Sequence, residues 1–326
     1  MSGFRKAKAE QAAIKAALYG PAGSGKTFTA LLCAEGIART IKKRIAFVDT
    51  ERGTDFYSIN VPDRKIHPEA FDFDALYSKS IMEVLQNVKA LNTEDYGVIV
   101  IDSITHLWEA ARLAYTGKET SAGTIPFHAW GKIKKPYKEL INYLLSSPMH
   151  VFILGRQGNE FDEDEETGEL KKVGTKMKAE GETPYEPHIL IHMEAVKNIK
   201  TGIATITAFA EKDRTGTLAG RTIQNPTFDN LIKPILSILG NKQATIKSDG
   251  ESAAQDAEII TEQDKAKESE SAEILKKMCA RMVVCETLDQ LKKIGDEITP
   301  ELKKKMITNH VSELREKYLE SQKHLS

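Results

Sequence analysis

One stretch of the sequence, residues 19–27, constrains the fold more than any other. It reads Tyr-Gly-Pro-Ala-Gly-Ser-Gly-Lys-Thr and matches the phosphate-binding pattern G-x-x-x-x-G-K-[ST]. An apolar run over residues 14–18 precedes it and an apolar helical pattern follows it, which is the strand–loop–helix context that the pattern requires. A glycine-rich turn that only happens to contain Lys-Thr is the alternative, and this context favours the phosphate loop.

The residue types of the loop explain how it would hold a nucleoside triphosphate. Glycines let the backbone curl around an anion and point N–H groups at it, and the helix that follows adds its positive N-terminal end. Lys26 is expected to reach the β- and γ-phosphates, and the Thr27 hydroxyl to ligate Mg²⁺. The sequence therefore predicts ATP and Mg²⁺ as ligands. Nucleotide contacts are assigned to nine consecutive residues: Gly20, Pro21, Ala22, Gly23, Ser24, Gly25, Lys26, Thr27 and Phe28.

Composition narrows the class of protein. The chain has 326 residues and a formal net charge of −1. This length predicts about two domains, and the charge means that any nucleic-acid site must be a local patch. The cysteines Cys33, Cys279 and Cys285 have no metal-ligand or disulfide spacing, which indicates a reducing cytoplasm. No apolar run approaches the length of a transmembrane helix, so we expect no membrane partner.

Strand and helix patterns alternate after the phosphate loop. Apolar strands are predicted at residues 44–49, 97–102 and 150–155, and helices at residues 28–39, 73–91 and 127–145. This alternation predicts a doubly wound, mostly parallel α/β sheet. Residues 116–126 are rich in Gly, Ser and Thr and are expected to form a mobile loop.

Two hairpins are predicted further along the chain. Residues 158–183 open acidic and close basic, and the turn signal at Thr167-Gly168 predicts a projecting hairpin. Residues 189–196 and 203–210 read as two strands of a hairpin at the edge of the sheet.

The chain is predicted to have three parts. Residues 1–240 form the first domain, which closes with a short helix at about residues 231–239. Residues 241–270 contain no aromatic residue and more acidic than basic residues, so they are expected to be a flexible acidic linker. Residues 271–326 carry helical patterns that predict a small helical bundle, with the last helix opening at Thr299-Pro300.

Two carboxylates are candidates for the chemistry at the phosphate loop. Asp102 ends the predicted strand 97–102 and is the natural second acidic element and Mg²⁺ ligand, with a helix N-cap as the alternative. Many ATPases of the AAA+ and helicase type carry a glutamate directly after this aspartate, but here the next residue is Ser103. Glu51 follows another strand at the same sheet edge, where it could orient or deprotonate water. An ordinary solvated glutamate is the alternative.

These motifs together resemble the RecA-like recombinase ATPases. With the segment at residues 176–186 they resemble, more closely, the bacteriophage RecA-like ATPases associated with single-strand annealing and recombination. The matching pieces are residues 20–27, 47–51, 98–103, Gln157 and 176–186, and the resemblance covers residues 10–240. It implies an α/β RecA-like P-loop NTPase fold and an ATP hydrolase, located in the bacterial host cytoplasm if a phage encodes it.

The resemblance also implies roles for individual residues. Glu51 would be the catalytic glutamate, and Gln157 the sensor that couples the γ-phosphate to the loop behind it. Lys212 and Arg214 resemble the cations that reach the ATP of a neighbouring subunit, which implies a homo-oligomer; plain surface charge is an equally open interpretation. Residues 116–126 and 158–183 would face DNA, and the lysines left as candidates for DNA contacts are Lys171, Lys172, Lys176 and Lys178.

Three functions remain open at this point. The first is an ATPase of recombination or annealing that binds single-stranded DNA, with a single-strand-binding protein as a possible further partner. The second is a P-loop ATPase that acts on protein partners, as a loader, packaging or defence component, and docks through its C-terminal bundle. The third is a nucleotide-binding regulator with little turnover, and the joint presence of Lys26, Glu51 and Asp102 argues against it.

Overall fold

The computed structural model describes residues 13–116, 125–126, 129–163, 170–239, 268–300, 302, 306 and 308–325. Residues 1–12, most of the predicted loop at residues 116–126, the hairpin turn at Thr167-Gly168 and most of the predicted acidic linker lie outside these residues. The chain divides into two compact units, Met1–Ile246 and Lys247–Ser326.

In the first unit, the described residues form one mixed sheet of nine strands. The order across the sheet is β3-β2-β4-β5-β1-β7-β8-β9, and β6 pairs with β5 alone. Six neighbouring strands are parallel to one another: β3, β2, β4, β5, β1 and β7. The sheet is therefore the doubly wound, mostly parallel sheet that the sequence predicts. The strands are β1 Lys15–Gly20, β2 Arg44–Asp49, β3 Asp74–Tyr77, β4 Tyr96–Asp102, β5 His150–Glu163, β6 Leu170–Met177, β7 Ile189–Lys197, β8 Ala204–Asp213 and β9 Thr222–Gln224.

Helices cover both faces of the sheet. The helices are α1 Lys26–Ile41, α2 Ile81–Lys89, α3 Ile104–Thr116, α4 Trp130–Ser146 and α5 Lys233–Leu239. Val98 and Val100 of β4 pack with α1 and α5, whereas Ile99 and Ile101 pack with α2, α3 and α4, as the two-residue period of a strand requires. Each of these four side chains is fully buried and contributes about 1.5–3 kcal/mol to folding.

The structure corrects the helix predicted at residues 73–91. Asp74–Tyr77 form the edge strand β3, and α2 begins only at Ile81. Ser80 is the N-cap because its hydroxyl accepts a hydrogen bond from the Glu83 N–H, and Ser78 donates to the Glu83 carboxylate at 2.6 Å. Residues 73–91, predicted as one helix, therefore contain an edge strand and a separate helix with its own N-cap.

Both predicted hairpins are present. β5 and β6 are antiparallel, as are β7 and β8. The second hairpin does not form the sheet edge as predicted, because β9 pairs with the outer side of β8. The first hairpin matters more for function, since β5 continues beyond its partners β1 and β4 to Glu163 and is paired there with β6.

The second unit has its own apolar core. Its helices are α6, described over residues 268–283, α7 Leu288–Glu297 and α8 Thr308–Leu325. Pro300 and Leu302 are helical, as the predicted helix start at Thr299-Pro300 requires, but Met306 lies in a bend and the long last helix begins only at Thr308. The buried residues of this core are Met278, Met282, Leu291, Ile294, Met306 and Leu314.

Candidate active site

The phosphate loop joins β1 to α1, and its shape depends on glycine. Gly23 and Gly25 have φ angles of 77° and 81°, in the left-handed region that L side chains avoid. A Cβ on Gly20 would lie 2.1 Å from the Met193 carbonyl oxygen of β7, so no other residue fits there. The backbone therefore bends sharply at the end of the buried strand β1 and enters α1 directly. A tight loop that leads into a helix N-terminus is a geometry that binds anions.

Lys26 is the first residue of α1, and its side chain turns back to the phosphate loop. Its Nζ donates to the carbonyl oxygens of Gly20 at 3.0 Å and Pro21 at 2.8 Å, and approaches Ser24 Oγ at 3.4 Å. Burial lowers the pKa of Lys26, while the carboxylates of Asp102 and Glu51 act in the opposite direction. The ammonium is thus placed by the loop itself, with two anionic side chains in its electrostatic surroundings.

Thr27 and Asp102 meet at the start of α1. The Thr27 hydroxyl donates to Asp102 Oδ2 at 2.6 Å, although 75 residues separate them in sequence. Burial raises the pKa of Asp102 to about 6, with a further contribution from Glu51, against the hydrogen bond from Thr27 and the charge of Lys26. A hydroxyl and a carboxylate side by side form the hard oxygen donor set that suits Mg²⁺ in a P-loop site. The residues therefore fit the predicted metal.

The backbone around Glu51 is organised by Asp49, which the sequence analysis did not single out. The buried Asp49 carboxylate accepts from the N–H groups of Glu51 at 2.8 Å, Arg52 at 2.7 Å and Thr54 at 2.9 Å, and from the Thr54 hydroxyl at 2.6 Å. Burial alone would raise the pKa of Asp49, but these hydrogen bonds together lower it. The end of β2 is thus folded around one carboxylate.

The Glu51 carboxylate is held by Arg156. Its Oε1 accepts from Arg156 Nε at 3.3 Å and from a terminal guanidinium nitrogen at 3.0 Å, and it lies 3.5 Å from His106 Nδ1. Burial lowers the pKa of His106, and the charge of Arg156 acts in the same direction. The sequence assigns no role to Arg156, because its pairing with Glu51 joins the ends of β5 and β2 across β4 and has no local sequence signal.

Gln157 belongs to a polar group behind the loop. Its Oε1 lies 3.0 Å from His192 Nε2, and the His192 ring stacks on Tyr19 with a centroid separation of 4.8 Å. The Tyr19 hydroxyl in turn donates to Glu211 Oε1 at 2.6 Å. The predicted sensor is therefore fixed by His192, which sequence reasoning did not identify.

Lys212 and Arg214 lie away from the phosphate loop of their own chain. β8 runs antiparallel to β7, and Lys212 pairs with Leu190 near the start of β7. That end of β7 lies beside Ala16, at the start of β1, whereas the phosphate loop follows the end of β1. Lys212 Nζ donates to the Tyr185 carbonyl oxygen. The structure does not bring these two cations together with the other candidate site residues.

The four candidate lysines lie on β6 or directly after it, and all are exposed. Lys178 forms an ion pair of 2.7 Å with Glu109 of α3, and Lys176 lies 3.7 Å from Glu160 of β5. Lys171 and Lys172 pair in backbone register with Asp162 and Phe161. The side chains of Lys176 and Lys178 thus contact carboxylates, which a nucleic-acid phosphate would have to replace.

An aromatic cavity of about 720 Å³ adjoins the end of β6. Trp108 and Trp130 stack in its wall with ring centroids 6.2 Å apart. Lys134 Nζ lies 2.7 Å from the carboxylate of Glu180, which is only 3% exposed. At the start of α1, the half-buried ring of Phe28 packs against Tyr57 and Phe71.

A sequence comparison matches residues 12–217 to the AAA domain family. The chain belongs to this family. The match spans the phosphate loop and all the strand ends of the site, so the protein is an AAA-domain P-loop ATPase with a RecA-like α/β fold and a C-terminal helical unit.

The chain was also compared with curated proteins and with solved structures, and neither comparison changes the family assignment. No curated protein matches the sequence. Among solved structures, the AAA-domain chain is similar to a KaiC-like protein from the hyperthermophilic archaeon Pyrococcus horikoshii OT3, with 15% identity, a TM-score of 0.40, and coverage of 66% of this chain and 85% of that one. Within the described parts of the chain, none of the helices combines the length and apolar character that crossing a membrane requires.

Proposed function

We propose that this AAA-domain protein is a Mg²⁺-dependent ATPase of the kind found in bacteriophage recombination, which binds single-stranded DNA and promotes recombination or strand annealing. In this proposal ATP is hydrolysed at the interface between two copies of the chain. The observation that carries it is the β5–β6 hairpin, which rises from the phosphate edge of the sheet and bears Lys171, Lys172, Lys176 and Lys178.

The hairpin is bonded directly to the nucleotide site. The Lys178 N–H donates to the Arg156 carbonyl oxygen at 2.7 Å, and the register of β5 places Arg156 beside Gly20 of the phosphate loop. The last lysine of the hairpin is therefore one hydrogen bond from a residue at the phosphates. Such a connection is what a DNA-responsive ATPase needs, because a ligand on the hairpin can bias the geometry of the site.

The aromatic cavity supports single-stranded nucleic acid over other acidic partners. Unstacked bases bind by stacking on aromatic side chains while cations contact the backbone. Trp108 and Trp130 line the cavity, Lys134 lies at its wall, and Ala179 continues from the lysines of β6. Phe161 is 55% exposed and offers a further ring on the hairpin that bears the lysines.

The proposed hydrolysis uses the residues in the positions described above. Lys26 and the loop amides bind the β- and γ-phosphates, and Thr27 and Asp102 would hold Mg²⁺, which neutralises charge on the phosphates when bound. Glu51 accepts a proton from the attacking water. Gln157 positions the γ-phosphate side of the site from the base of the hairpin.

In the proposed shared site, Lys212 and Arg214 are the cations that a second copy of the chain supplies. Because they lie at the opposite end of the sheet, they can serve only the phosphate loop of another copy, in a head-to-tail contact. A cation supplied in this way stabilises the charge of the transition state, as an arginine finger does.

Fluorescence anisotropy of a labelled oligonucleotide tests DNA binding. We expect single-stranded DNA to bind at low salt, with and without an ATP analogue, and to alter intrinsic fluorescence, because Trp108 and Trp130 are the two tryptophans of the chain. Replacing the four hairpin lysines by Ala is expected to lower the salt slope by about one per lost phosphate contact. Replacing Lys42 and Lys89, which lie far from the hairpin, is the control for loss of positive charge elsewhere on the surface. No binding at low salt would rule the proposal out.

Mixing two inactive variants tests the shared site. Lys26→Ala removes the phosphate-loop lysine but keeps the cations of β8, whereas the Lys212→Ala, Arg214→Ala variant keeps its own loop. We expect the mixture to recover part of the ATP turnover, since some interfaces pair an intact loop with intact cations. A mixture as inactive as its components would show that these cations are not supplied between subunits.

The second unit favours one alternative function, an ATPase that acts on a protein partner. It has a separate core, and Arg281 and Glu297 form a two-bond ion pair between α6 and α7. A separately folded helical module suits docking. Deletion of residues 255–326 distinguishes the two functions, because loss of partner recruitment with intact DNA binding would favour the alternative.

A further inference from the structure

The ion pair between Arg156 and Glu51 has a consequence for the reaction. Both guanidinium hydrogen bonds go to the same carboxylate oxygen, Glu51 Oε1. A carboxylate fixed in this way is oriented by the arginine rather than by an attacking water. Whether this ion pair is formed or broken therefore determines whether the Glu51 carboxylate is available as the proposed general base.

Arg156 lies where it can also reach a nucleotide. β1 and β5 are parallel neighbours, and their register pairs Arg156 with Gly20, the first residue of the phosphate loop. The charge of Arg156 acts on Lys26, the lysine expected at the β- and γ-phosphates. A guanidinium binds phosphate oxygens in the same two-pronged geometry that it uses for carboxylates, so the two anions compete for one side chain.

We propose that Arg156 exchanges partners during the ATPase cycle, pairing with Glu51 or with the γ-phosphate of ATP. When the guanidinium moves to the γ-phosphate oxygens, the Glu51 carboxylate is released to take a proton from water. The water oxygen then forms a bond to phosphorus, the bond from phosphorus to the β-phosphate oxygen breaks, and ADP and phosphate result. This inference rests on the proposed ATPase function and adds to it a residue that makes the base available only when a γ-phosphate is present.

The backbone of Arg156 connects the same switch to the hairpin. The Arg156 N–H donates to Thr105 Oγ1 at 2.9 Å, and the Thr105 hydroxyl donates to the Lys178 carbonyl oxygen at 2.6 Å. The Lys178 N–H returns to the Arg156 carbonyl oxygen at 2.7 Å. This closed group of three hydrogen bonds joins β5, α3 and the end of β6, so a ligand that shifts Lys178 also shifts the origin of the Arg156 side chain.

A double-mutant cycle measured by binding tests the exchange without relying on turnover. The full-length chain, Glu51→Gln, Arg156→Gln and the double variant are titrated calorimetrically with Mg²⁺ and either ADP or a non-hydrolysable ATP analogue. We expect Arg156→Gln to lower the ratio of analogue affinity to ADP affinity about tenfold, as loss of one charge-assisted contact predicts. Glu51→Gln should raise the same ratio, because the arginine loses its competing partner.

The coupling between Glu51→Gln and Arg156→Gln distinguishes an exchange of partners by Arg156 from independent effects of the two residues. The gain from Glu51→Gln is expected to be largely lost when Arg156 is already Gln, and Arg156→Lys, which keeps the charge without the fork, should restore the ratio only in part. Arg52→Gln removes another exposed arginine next to Glu51 and is the matched control, for which the ratio should not change.

Several outcomes would overturn the inference. Equal effects of Arg156→Gln on analogue and ADP, or an effect of Glu51→Gln that is independent of Arg156, would show that Arg156 is only a surface partner of Glu51. If the ATPase is active and responds to DNA while the ratio stays constant, this inference fails and the proposed function stands. If the unaltered chain binds neither nucleotide, the proposed function fails first.

Discussion

The phosphate loop and the Glu51 loop lie at the same edge of the sheet, yet they are held in different ways. The phosphate loop is shaped by its own backbone, through left-handed glycines and the lysine that bonds to loop carbonyls. The Glu51 loop is shaped by a side chain, Asp49, and its functional carboxylate is oriented by Arg156 from another strand. A backbone-shaped loop can be identified from a short motif, whereas a loop held by distant side chains cannot.

The largest expected effect is at the phosphate loop. Lys26→Ala removes the ammonium at the centre of the loop and is expected to lower ATP turnover at least about 100-fold, because a charge aimed at the transferring phosphoryl group is lost. Steady-state phosphate release measures the loss. Lys89→Ala removes an equally charged lysine from a surface ion pair with Glu139 and is the control. Substantial turnover in Lys26→Ala would contradict the assignment of the loop.

Glu51→Gln separates binding from chemistry. The amide cannot accept a proton, so we expect turnover to fall by about 10²–10⁴ while ATP remains bound. Nucleotide retention on the purified protein and single-turnover hydrolysis measure the two properties. Glu94→Gln changes an exposed carboxylate at the opposite end of the sheet and should leave both unchanged. A variant that hydrolyses ATP normally would show that Glu51 is a solvated surface residue.

Asp49→Asn breaks the support of the second loop without touching the first. An amide cannot accept all four hydrogen bonds that reach the Asp49 carboxylate, and we expect a loss of about 1–3 kcal/mol in the free energy of unfolding. Turnover should fall because Glu51 is misplaced, while ATP affinity changes little. Urea unfolding and nucleotide titration measure these effects. Loss of ATP affinity as large as the loss of turnover would mean that the two loops are not held independently.

The same substitution has a pH signature. Because the hydrogen bonds lower the pKa of Asp49 in the folded state, its contribution is fully present above the ordinary aspartate pKa and is lost as pH falls through the folded value. The difference in unfolding free energy between the unaltered chain and Asp49→Asn should therefore be constant near neutral pH and shrink below about pH 4. A difference that grows on acidification would contradict this sign.

The smallest effects compare one glycine from each loop. Gly25→Ala places a Cβ at a φ of 81° and 3.2 Å from Ile206, so we expect a loss of about 1–2 kcal/mol. Gly53→Ala places a Cβ where nothing lies within 4 Å and should change the free energy of unfolding by less than about 0.5 kcal/mol. Urea unfolding of both variants measures these losses. Equal losses of unfolding free energy in the two variants would contradict the expected difference between the loops.

The features that could be predicted from the sequence are those that leave a local pattern, as the phosphate loop does and the Glu51 loop does not. The alternation of strands and helices predicted the parallel sheet, because buried strands and amphipathic helices leave local patterns. The prediction failed at Asp74–Tyr77, where a four-residue edge strand lies next to a capped helix and has too few residues to show its own period. The contact between Thr27 and Asp102 could be anticipated, since each residue ends or follows a strand at one edge.

Other parts of the site depend on register, which the sequence does not display. Arg156 pairs with Glu51 across the end of β4, because β4 lies between β2 and β5 in the sheet. His192 reaches Gln157 across β1 for the same reason. The direction of β8 places Lys212 and Arg214 at the far end of the sheet, and only the strand pairing reveals it.

The most direct test of the proposed function is ATP turnover of the full-length chain, measured with and without single-stranded DNA, together with the mass of the assembly in each state. We expect single-stranded DNA to raise turnover about tenfold and the active species to contain more than one copy of the chain. The same turnover in both conditions, from a species with the mass of a single chain, would contradict it.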